Sequence, residues 1–289
     1  MPLLAYLTCA IVWGSTYFAI ALGLESFTPY GMVAARFTAG GILALGLGFL
    51  RGEPSLRKTD WPHLILVGAL LLAGSNALVS WAELHVSSGM AAIICALVPV
   101  FLALFSGESI GARTWAGLLL GFIGVGVLAN PLAGGIHLGG VGALLLATMI
   151  WSFGTLHGKH HIRGSAYLKQ VGVQMLTAAL IGHLIAPLTG GYLHHGLTPK
   201  AALAIGYLAL FGSLLAFTAY IYLARVWSPA KMGTYTYINP VVALLLGSLF
   251  LHEPFGLRMG FGLIVILSGI ALVQLKPANP TKAGEELSA

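Results

Sequence analysis

Residues 88–104 read SGMAAIICALVPVFLAL and contain no charged side chain. They form the middle of an apolar stretch that runs from about residue 87 to 106, and about 20 such residues let one helix cross a bilayer. The same character extends over the 289-residue chain, of which 58% is hydrophobic and 8% is charged. Typical soluble chains carry about 25% charged residues, so the composition excludes a soluble fold.

Similar apolar runs recur along the whole chain, separated by charges and turn-forming residues. They cover roughly residues 3–24, 30–50, 63–82, 87–106, 115–129, 139–157, 167–187, 201–223, 231–251 and 259–275. A transmembrane β-strand would alternate polar and apolar residues, and runs such as 117–128 do not alternate. The sequence therefore predicts an all-α integral membrane protein with ten transmembrane helices.

The stretch around Pro99 resembles a stretch in the second half of the chain. Pro99 lies in Leu-Val-Pro-Val and Pro240 in Ile-Asn-Pro-Val, 141 residues later. Trp13 and Trp151 repeat at 138 residues. Matches in the same order at nearly constant spacing indicate an internal duplication.

Each half would hold five spans, and an odd number makes the second half enter the membrane from the opposite side. We therefore predict two inverted five-helix repeats, residues 1–130 and 139–276, around a central cavity. Residues 277–289 would form a cytoplasmic tail.

Positive charge predicts the orientation, because cytoplasmic loops retain Lys and Arg. With both termini in the cytoplasm, the outer loops hold Lys200 and Arg258, and Arg36 lies inside the second span. The inner segments then hold Arg51, Arg57, Lys58, Arg113, Lys159, Arg163, Lys169, Arg225, Lys231, Lys276 and Lys282. The net charge of +6 is thus spread over short loops, so it indicates topology rather than nucleic-acid binding.

Polar and aromatic side chains are concentrated on four spans at helical spacing. The candidate substrate-binding residues are Trp13, Tyr17, Asn76, Ser80, Trp81, Trp151, Ser152, Tyr235, Tyr237 and Asn239. Such residues also serve as interhelical hydrogen bonders and interface anchors in most membrane proteins. Because four faces would converge, we favour a cavity in which amides and hydroxyls hold a polar head and rings hold an apolar body.

Two prolines are the candidate hinges. Pro99 and Pro240 lie inside the fourth and ninth spans, where proline removes a helical hydrogen bond and bends the helix. They either give the halves a flexing point or form passive kinks.

Acidic residues are absent from the span interiors. All eight map to loops, span ends or the tail, although Glu83 shares a helix face with Asn76. This absence disfavours an aspartyl protease, a carboxylate-bound metal enzyme or a pump with a buried glutamate. His157 and His183 remain as candidates for proton coupling, and uncoupled movement down a gradient is at least as well supported.

Two further polar features keep open alternatives. Arg36 could meet a substrate carboxylate, or it could bond to neighbouring carbonyls or extend to the interface. His157, His160 and His161 have a spacing that could hold a metal, but Lys159 among them favours a solvated surface. We therefore expect no metal and no cofactor.

These residues resemble the drug/metabolite transporter superfamily, EamA branch. The likeness rests on Trp13-Gly14, the Ser-Gly-x-Ala-Ala run that leads to Pro99-Val100-Phe101, Tyr237-Ile238-Asn239-Pro240-Val241, and Leu251-His252-Glu253. The length and the aromatic-rich spans are similar to YddG-type exporters of aromatic and other amino acids. The resemblance implies a basket-like fold with a central cavity, spans five and ten to one side, and efflux of small metabolites. Glu108 does not match the spacing of Glu253 from its proline, so no role is transferred to Glu108.

The leading hypothesis is an exporter of small amino-acid-like metabolites that works by alternating access and is not an enzyme. It would lie in the bilayer of a bacterial inner membrane as a monomer or weak homodimer, without a nucleic-acid partner. One alternative is a sugar-phosphate, nucleotide-sugar or drug transporter of the same fold, where phosphate would need paired basic residues. The other is an integral-membrane lipid-modifying enzyme, which would need an acid/base or nucleophile pair on facing helices.

Overall fold

The computed structural model describes residues 1–107, 111–129, 137–250 and 257–274. These residues are almost entirely helical, and the β contact found among them is an isolated bridge between Phe27 and Leu193. Glu108, the Leu251-His252-Glu253 motif and the predicted tail lie outside the described residues.

Long helical segments follow one another with short connections. In chain order they are α1 (Pro2–Leu24), α2 (Pro29–Leu50), α3 (Lys58–Glu83), α4 (Ser88–Phe105), α5 (Ala112–Ala129), α6 (Leu138–His161), α7 (Tyr167–Thr189), α8 (Pro199–Val226), α9 (Lys231–Phe250) and α10 (Leu257–Gln274). Within the described residues, eight of these segments are long and apolar enough to cross a membrane, and α5 and α10 contain 18 residues each. The predicted all-helical membrane class is confirmed at this level.

Polar side chains in the connections fix where helices begin. The Thr28 hydroxyl accepts a hydrogen bond from Gly31 N at 3.0 Å, and the Thr198 hydroxyl accepts one from Ala201 N at 3.2 Å. Each threonine thereby satisfies one of the backbone N–H groups that a helix N-terminus leaves unpaired. At the start of α7, the Glu53 carboxylate accepts from Leu168 N at 3.0 Å, an arrangement that the helix dipole favours.

The helices pack in two kinds of contact: pairs that lie along one another, and single helices that pack on two others. Segment α2 lies along α7, and α5 lies along α10. Segment α1 packs on α8 and α9, while α6 packs on α3 and α4. Small residues allow the closest approaches: a Cβ added to Gly117 would lie 2.8 Å from the carbonyl oxygen of Gly269.

Two of the helices change their winding near the centre of the molecule. Residues Gly68–Ser75 of α3 and Leu208–Leu215 of α8 form π-helical stretches. Such wide turns are rare in proteins, but where they occur they are often found at functional sites. In both cases they place backbone carbonyls and small side chains beside the central space described below.

The two predicted hinge prolines lie at real helix breaks. Segment α4 is interrupted after Cys95 and resumes at Val98, with Pro99 in its first turn. Segment α9 contains a 3-10 turn, after which Pro240 is the second residue of a new helical piece. The two broken helices touch, since a Cβ on Gly233 would lie 2.9 Å from Pro99 Cα. Proline at the start of a helical piece costs no hydrogen bond, which explains why the breaks fall there.

Candidate functional site

A polar cavity lies between α1, α2, α3, α6 and α8. Its first lobe has a volume of about 80 Å³ and brings together the wide turns of α8 and the middle of α1. Its lining residues are Trp13, Thr16, Tyr17, Ile20, Arg36, Phe37, Leu72, Asn76, Val79, Trp151, Gly212, Ser213 and Phe217.

A second lobe, also of about 80 Å³, extends toward the broken helices α4 and α9. It is lined by Trp13, Ser75, Asn76, Val79, Cys95, Val98, Thr148, Trp151, Tyr235, Thr236 and Asn239. Trp13, Asn76, Val79 and Trp151 belong to both lobes, so the lobes adjoin one another. We call the pair of lobes the central cavity.

An aromatic cluster forms one wall of the central cavity. The ring of Trp13 meets Trp151 edge-on with centroids 5.3 Å apart, and Tyr220 and Tyr235 lie 5.0 and 5.2 Å from Trp13. The indole N–H of Trp13 donates to the Gly212 carbonyl at 2.8 Å. The indole N–H of Trp151 donates to the Tyr220 hydroxyl at 2.9 Å. With these polar atoms paired, the rings of Trp13, Trp151 and Tyr220 are held in place and the cluster presents apolar faces and edges to the cavity.

Arg36 supplies the positive charge of the central cavity. Its side chain is buried, with 6% of its surface exposed. Nε donates to the Ser213 hydroxyl at 2.7 Å, and Nη1 donates to the Asn76 side-chain oxygen at 3.2 Å. Both acceptors are neutral, and the guanidinium carbon lies 4.9 Å from the Phe37 ring centre. A buried cation with neutral partners pays desolvation without a compensating charge, so this site favours an incoming anion.

Glycine at position 212 makes room for this arrangement. A Cβ there would lie 2.8 Å from Thr16 Cγ2 and 3.1 Å from Arg36 Nη2. The absence of a side chain thus lets the guanidinium reach the wall of the cavity.

A carboxylate lies close to Tyr17. Both carboxylate oxygens of Glu83 are shielded from solvent, although the residue is the last of α3. Its charge lies near enough to interact electrostatically with Tyr17 and Cys95, which line the two lobes. The expectation that acidic residues map to span ends holds for its position in the chain, and its carboxylate lies behind the cavity-lining residues Tyr17 and Cys95 rather than in the lining itself.

The structure places six of the ten sequence-derived candidates on the cavity wall: Trp13, Tyr17, Asn76, Trp151, Tyr235 and Asn239. The Asn239 amide also joins α1 to α9, because in the orientation that suits its neighbours Nδ2 donates to the Ala10 carbonyl at 2.8 Å.

Two other candidates point away from the cavity. Trp81 is 39% exposed and packs edge-on against His85, with centroids 4.7 Å apart. Tyr237 is fully buried on the other side of α9, where a Cβ on Gly121 would lie 2.8 Å from its ring. Helical rotation separates both rings from their cavity-lining neighbours by about 100° per residue.

The remaining two candidates serve helix contacts. Ser80 is buried and its hydroxyl lies 3.8 Å from the Met32 sulfur. The Ser152 hydroxyl donates to the Thr148 carbonyl of its own helix at 2.8 Å and to the Val98 carbonyl of α4 at 3.3 Å. Neither serine lines the central cavity.

The two histidines considered for coupling also lie elsewhere. His183 is exposed, and its ring nitrogens lie 3.0 Å from the Thr38 hydroxyl and 3.2 Å from the Tyr192 hydroxyl. His157 pairs with His63 at 2.9 Å. Among the described residues, the cavity lining includes no histidine.

Four residues that matter to the cavity were not among the candidate substrate-binding residues: Arg36, Ser213, Tyr220 and Glu83. The sequence marked Arg36 as unusual, because it is the one Lys or Arg residue near the centre of a span, but the sequence did not show that Ser213 and Asn76 are its hydrogen-bond partners. Ser213 and Tyr220 lie on α8, which has few polar residues, and only the fold brings that face to α1.

A further concavity is different in character. It has a volume of about 520 Å³ and lies on the outside of α1, α2 and α8. Leu4 and Leu210 in its lining are 67% and 46% exposed. An apolar groove open to the surroundings is what lipid chains cover in a membrane protein, and it lacks the converging polar groups of a binding site.

A sequence profile described as the EamA-like transporter family matches residues 1–130 and 138–275 of the chain. The chain belongs to the EamA-like transporter family. The sequence-based resemblance to the EamA branch is confirmed, and the protein is a multi-pass membrane transporter of that family.

Several relatives align with this EamA-like transporter over most of their length. The "Uncharacterized inner membrane transporter YedA" of Escherichia coli (strain K12) is 38% identical, with 94% of this chain and 92% of the relative covered. The "Uncharacterized transporter YvbV" of Bacillus subtilis (strain 168) is 28% identical over 95% and 91%. A "Probable terminal-alkyne amino-acid exporter" of Streptantibioticus cattleyicolor is 29% identical over 86% and 85%.

A solved structure shares the fold of this EamA-like transporter. One crystal structure superposes with a TM-score of 0.78 at 21% identity and covers 99% of this chain and 98% of the other. At that identity the likeness concerns the fold alone.

Proposed function

We propose that this EamA-like transporter exports small amino-acid-like metabolites across a bacterial inner membrane by alternating access, without chemical change. Its substrate would carry a carboxylate and an apolar side chain. The central cavity would bind it, and Arg36 would hold the carboxylate.

The observation that carries this proposal is the pairing of Arg36. Its guanidinium bonds only to the neutral oxygens of Ser213 and Asn76 in the described part of the chain. A substrate carboxylate would supply the missing negative charge through a charge-assisted hydrogen bond, and such bonds are about twice as strong as neutral ones. Asn76 bonds Arg36 through its side-chain oxygen, and its Nδ2 donates to the Leu71 carbonyl at 2.8 Å, so its amide is oriented on both sides.

The size and walls of the central cavity support the same class of substrate. Each lobe measures about 80 Å³, far below the ~300–1,000 Å³ of pockets for drug-sized ligands. The rings of Trp13, Trp151 and Tyr235 offer contact to an apolar side chain, including an aromatic one of the kind carried by substrates of YddG-type exporters.

The proposed mechanism rests on two inverted five-helix halves with ten spans and both termini in the cytoplasm. Its support is the packing pattern, in which α1 meets α8 and α9 while α6 meets α3 and α4. The breaks at Pro99 and Pro240 support it too, because they occur at the same place in each half and touch near Gly233. Rocking of the halves at these breaks would expose the central cavity to each side in turn.

A relative also supports amino-acid export. The Streptantibioticus cattleyicolor protein is named as an exporter of a terminal-alkyne amino acid, and we carry the amino-acid class to this chain as part of the proposal. A sugar-phosphate substrate fits less well, since Arg36 is the one basic side chain in the described lining. Lipid chemistry fits less well too, because no histidine accompanies the lining serines among the described residues.

The test is a comparison of three forms of one substrate in proteoliposomes. Purified protein should move a labelled apolar amino acid, and should move its amide and its decarboxylated amine at least about tenfold more slowly, since both lack the charge for Arg36. The Asn76→Ala variant should lower uptake of the amino acid. Equal movement of all three forms, or movement of drugs or sugars with no amino acid, would overturn the substrate class.

Proton coupling, if present, would use Glu83. A buried carboxylate near a cavity wall is the usual proton carrier in membrane transporters, and Glu83 lies near Tyr17. An imposed pH gradient should therefore change the flux through the wild-type protein and leave the flux through Glu83→Gln unchanged. A wild-type flux that ignores the gradient would establish uncoupled movement instead.

A further inference from the structure

Three histidines meet at one end of the α3 and α6 pair, away from the central cavity. His63 lies near the start of α3, and His157 and His161 lie one turn apart near the end of α6. One ring nitrogen from each lies within 4.8 Å of the others. The rings of His157 and His161 are stacked at 4.3 Å, and His63 stacks on His161 at 4.7 Å. The three rings therefore form one compact group built from two helices.

The ring nitrogens lie close enough together to share one metal ion after a small rotation of the rings. His161 Nδ1 donates to the carbonyl of His157 at 2.9 Å, which leaves Nε2 of His161 with its lone pair. A backbone carbonyl on the far nitrogen is the usual outer partner of a metal-bound histidine. His63 Nδ1 lies 2.9 Å from His157 Nε2, and two nitrogens on one tetrahedral Zn²⁺ would be about 3.4 Å apart. A small opening of this contact would admit an ion between them.

The surroundings allow access from solvent. His161 is exposed, while His63 and His157 are half-buried, so an ion can arrive from solvent and still meet an ordered pair of rings. The nearest lysine on α6, Lys159, donates its ammonium to the Trp227 carbonyl at 3.0 Å. Its charge is thereby held toward the end of α8.

We propose that His63, His157 and His161 form a binding site for a divalent transition-metal ion of the imidazole-preferring kind, such as Zn²⁺. Water would complete a four-coordinate shell. Because His63 belongs to α3 and the other two belong to α6, the bound ion ties the ends of these two helices together. None of the three histidines lines the central cavity, so metal binding is separate from the proposed amino-acid export.

Zinc titration of the purified protein tests the site. The protein is prepared without a polyhistidine tag, stripped with chelator and titrated with Zn²⁺ against a competing indicator. We expect one Zn²⁺ per chain and at least about tenfold weaker binding in His63→Ala and in His161→Ala. His160→Ala is the matched control, because His160 is exposed on the same helix, outside the group, and should bind Zn²⁺ as the wild type does. Mg²⁺ should not compete, since it prefers oxygen ligands.

Thermal unfolding separates metal binding from folding. In chelator, His161→Gln should unfold at the wild-type temperature, because the residue is exposed. Added Zn²⁺ should raise the unfolding temperature of the wild type and of His160→Ala, and not that of His63→Ala or His161→Gln. Full-strength binding by His63→Ala would show a site on α6 alone and overturn the link between helices. The absence of saturable binding by the wild type would overturn the site itself.

Discussion

Two buried polar side chains at matching positions of the chain have opposite surroundings. Arg36 lies on α2 and Gln174 lies on α7, 138 residues later, the same separation that relates Trp13 to Trp151. Arg36 borders a lobe of about 80 Å³ and bonds to two neutral side chains. Gln174 borders a void of about 20 Å³, and neither of its amide atoms has a hydrogen-bond partner in the described residues.

Packing explains why one position is open and the other is closed. Beside Gln174, the side chain of Leu71 fills the space over Gly154, where an added Cβ would lie 2.1 Å from Leu71 Cδ1. Beside Arg36, the guanidinium itself lies over Gly212. In the proposed two-half architecture, one wall would thus stay open to a substrate while its counterpart is packed shut. The resulting cavity has one cationic anchor, which suits a substrate with one carboxylate.

The largest effect should come from giving Arg36 the residue of its counterpart. Arg36→Gln keeps a hydrogen-bonding side chain and removes the charge, so we expect apparent affinity for a carboxylate-bearing substrate to fall by about 10- to 100-fold. Transport in proteoliposomes measures this. Arg36→Lys is the companion variant, which keeps the charge without the fork of the guanidinium and should retain part of the affinity.

The outcome that would break the comparison is transport by Arg36→Gln at the wild-type rate with wild-type affinity. The charge of Arg36 would then contribute only to folding or to contacts between helices, and not to substrate binding. Thermal unfolding of the same preparations distinguishes a lost substrate contact from a lost fold.

A smaller effect should follow from filling the wall beside Arg36. In Gly212→Ala the new Cβ would meet Thr16 Cγ2 at 2.8 Å and Arg36 Nη2 at 3.1 Å, so the guanidinium must shift. Overpacking of this kind costs about 1 kcal/mol or more. A displaced guanidinium that loses about 1 kcal/mol of its interaction with the substrate carboxylate would lower the apparent affinity about fivefold. Gly206→Ala is the control on the same helix, because its added Cβ meets no atom within 4 Å. An equal loss in both variants would attribute the effect to α8 rather than to Arg36.

Much of the fold was predictable because it depends on patterns along the chain. Apolar runs of about 20 residues report a membrane helix whatever its neighbours, and the bounds of α1 and α2 agree closely with the predicted runs 3–24 and 30–50. The winding changes at Gly68–Ser75 and Leu208–Leu215 were not visible. A π-helical stretch shifts every later residue around the helix axis, so faces counted at constant spacing lose their register beyond it.

The site was less predictable because it depends on contacts between distant segments. Helical spacing placed Trp13 and Tyr17 on one face, and both line the cavity. Trp81 was included only because it lies next to the face of Asn76 and Ser80, and in the regular helix Asn76–Glu83 it lies outside the cavity. The histidine group illustrates the limit from the other direction: His157, His160 and His161 beside Lys159 indicated a solvated surface, and only the fold brings His63, 94 residues from His157, to the group.

The smallest effect, and the sharpest check on the closed wall, should come from Gln174→Leu. A buried amide without partners costs about 1 to 3 kcal/mol, so an apolar side chain of similar length should raise the free energy of unfolding by about 1 kcal/mol. Transport should stay at the wild-type rate, because Gln174 does not line the central cavity. Thermal unfolding and substrate uptake on one preparation measure both quantities. A variant that folds as expected but no longer transports would show that the wall around Gln174 opens during the cycle, and the two halves would then take turns in binding rather than divide into an open wall and a closed one.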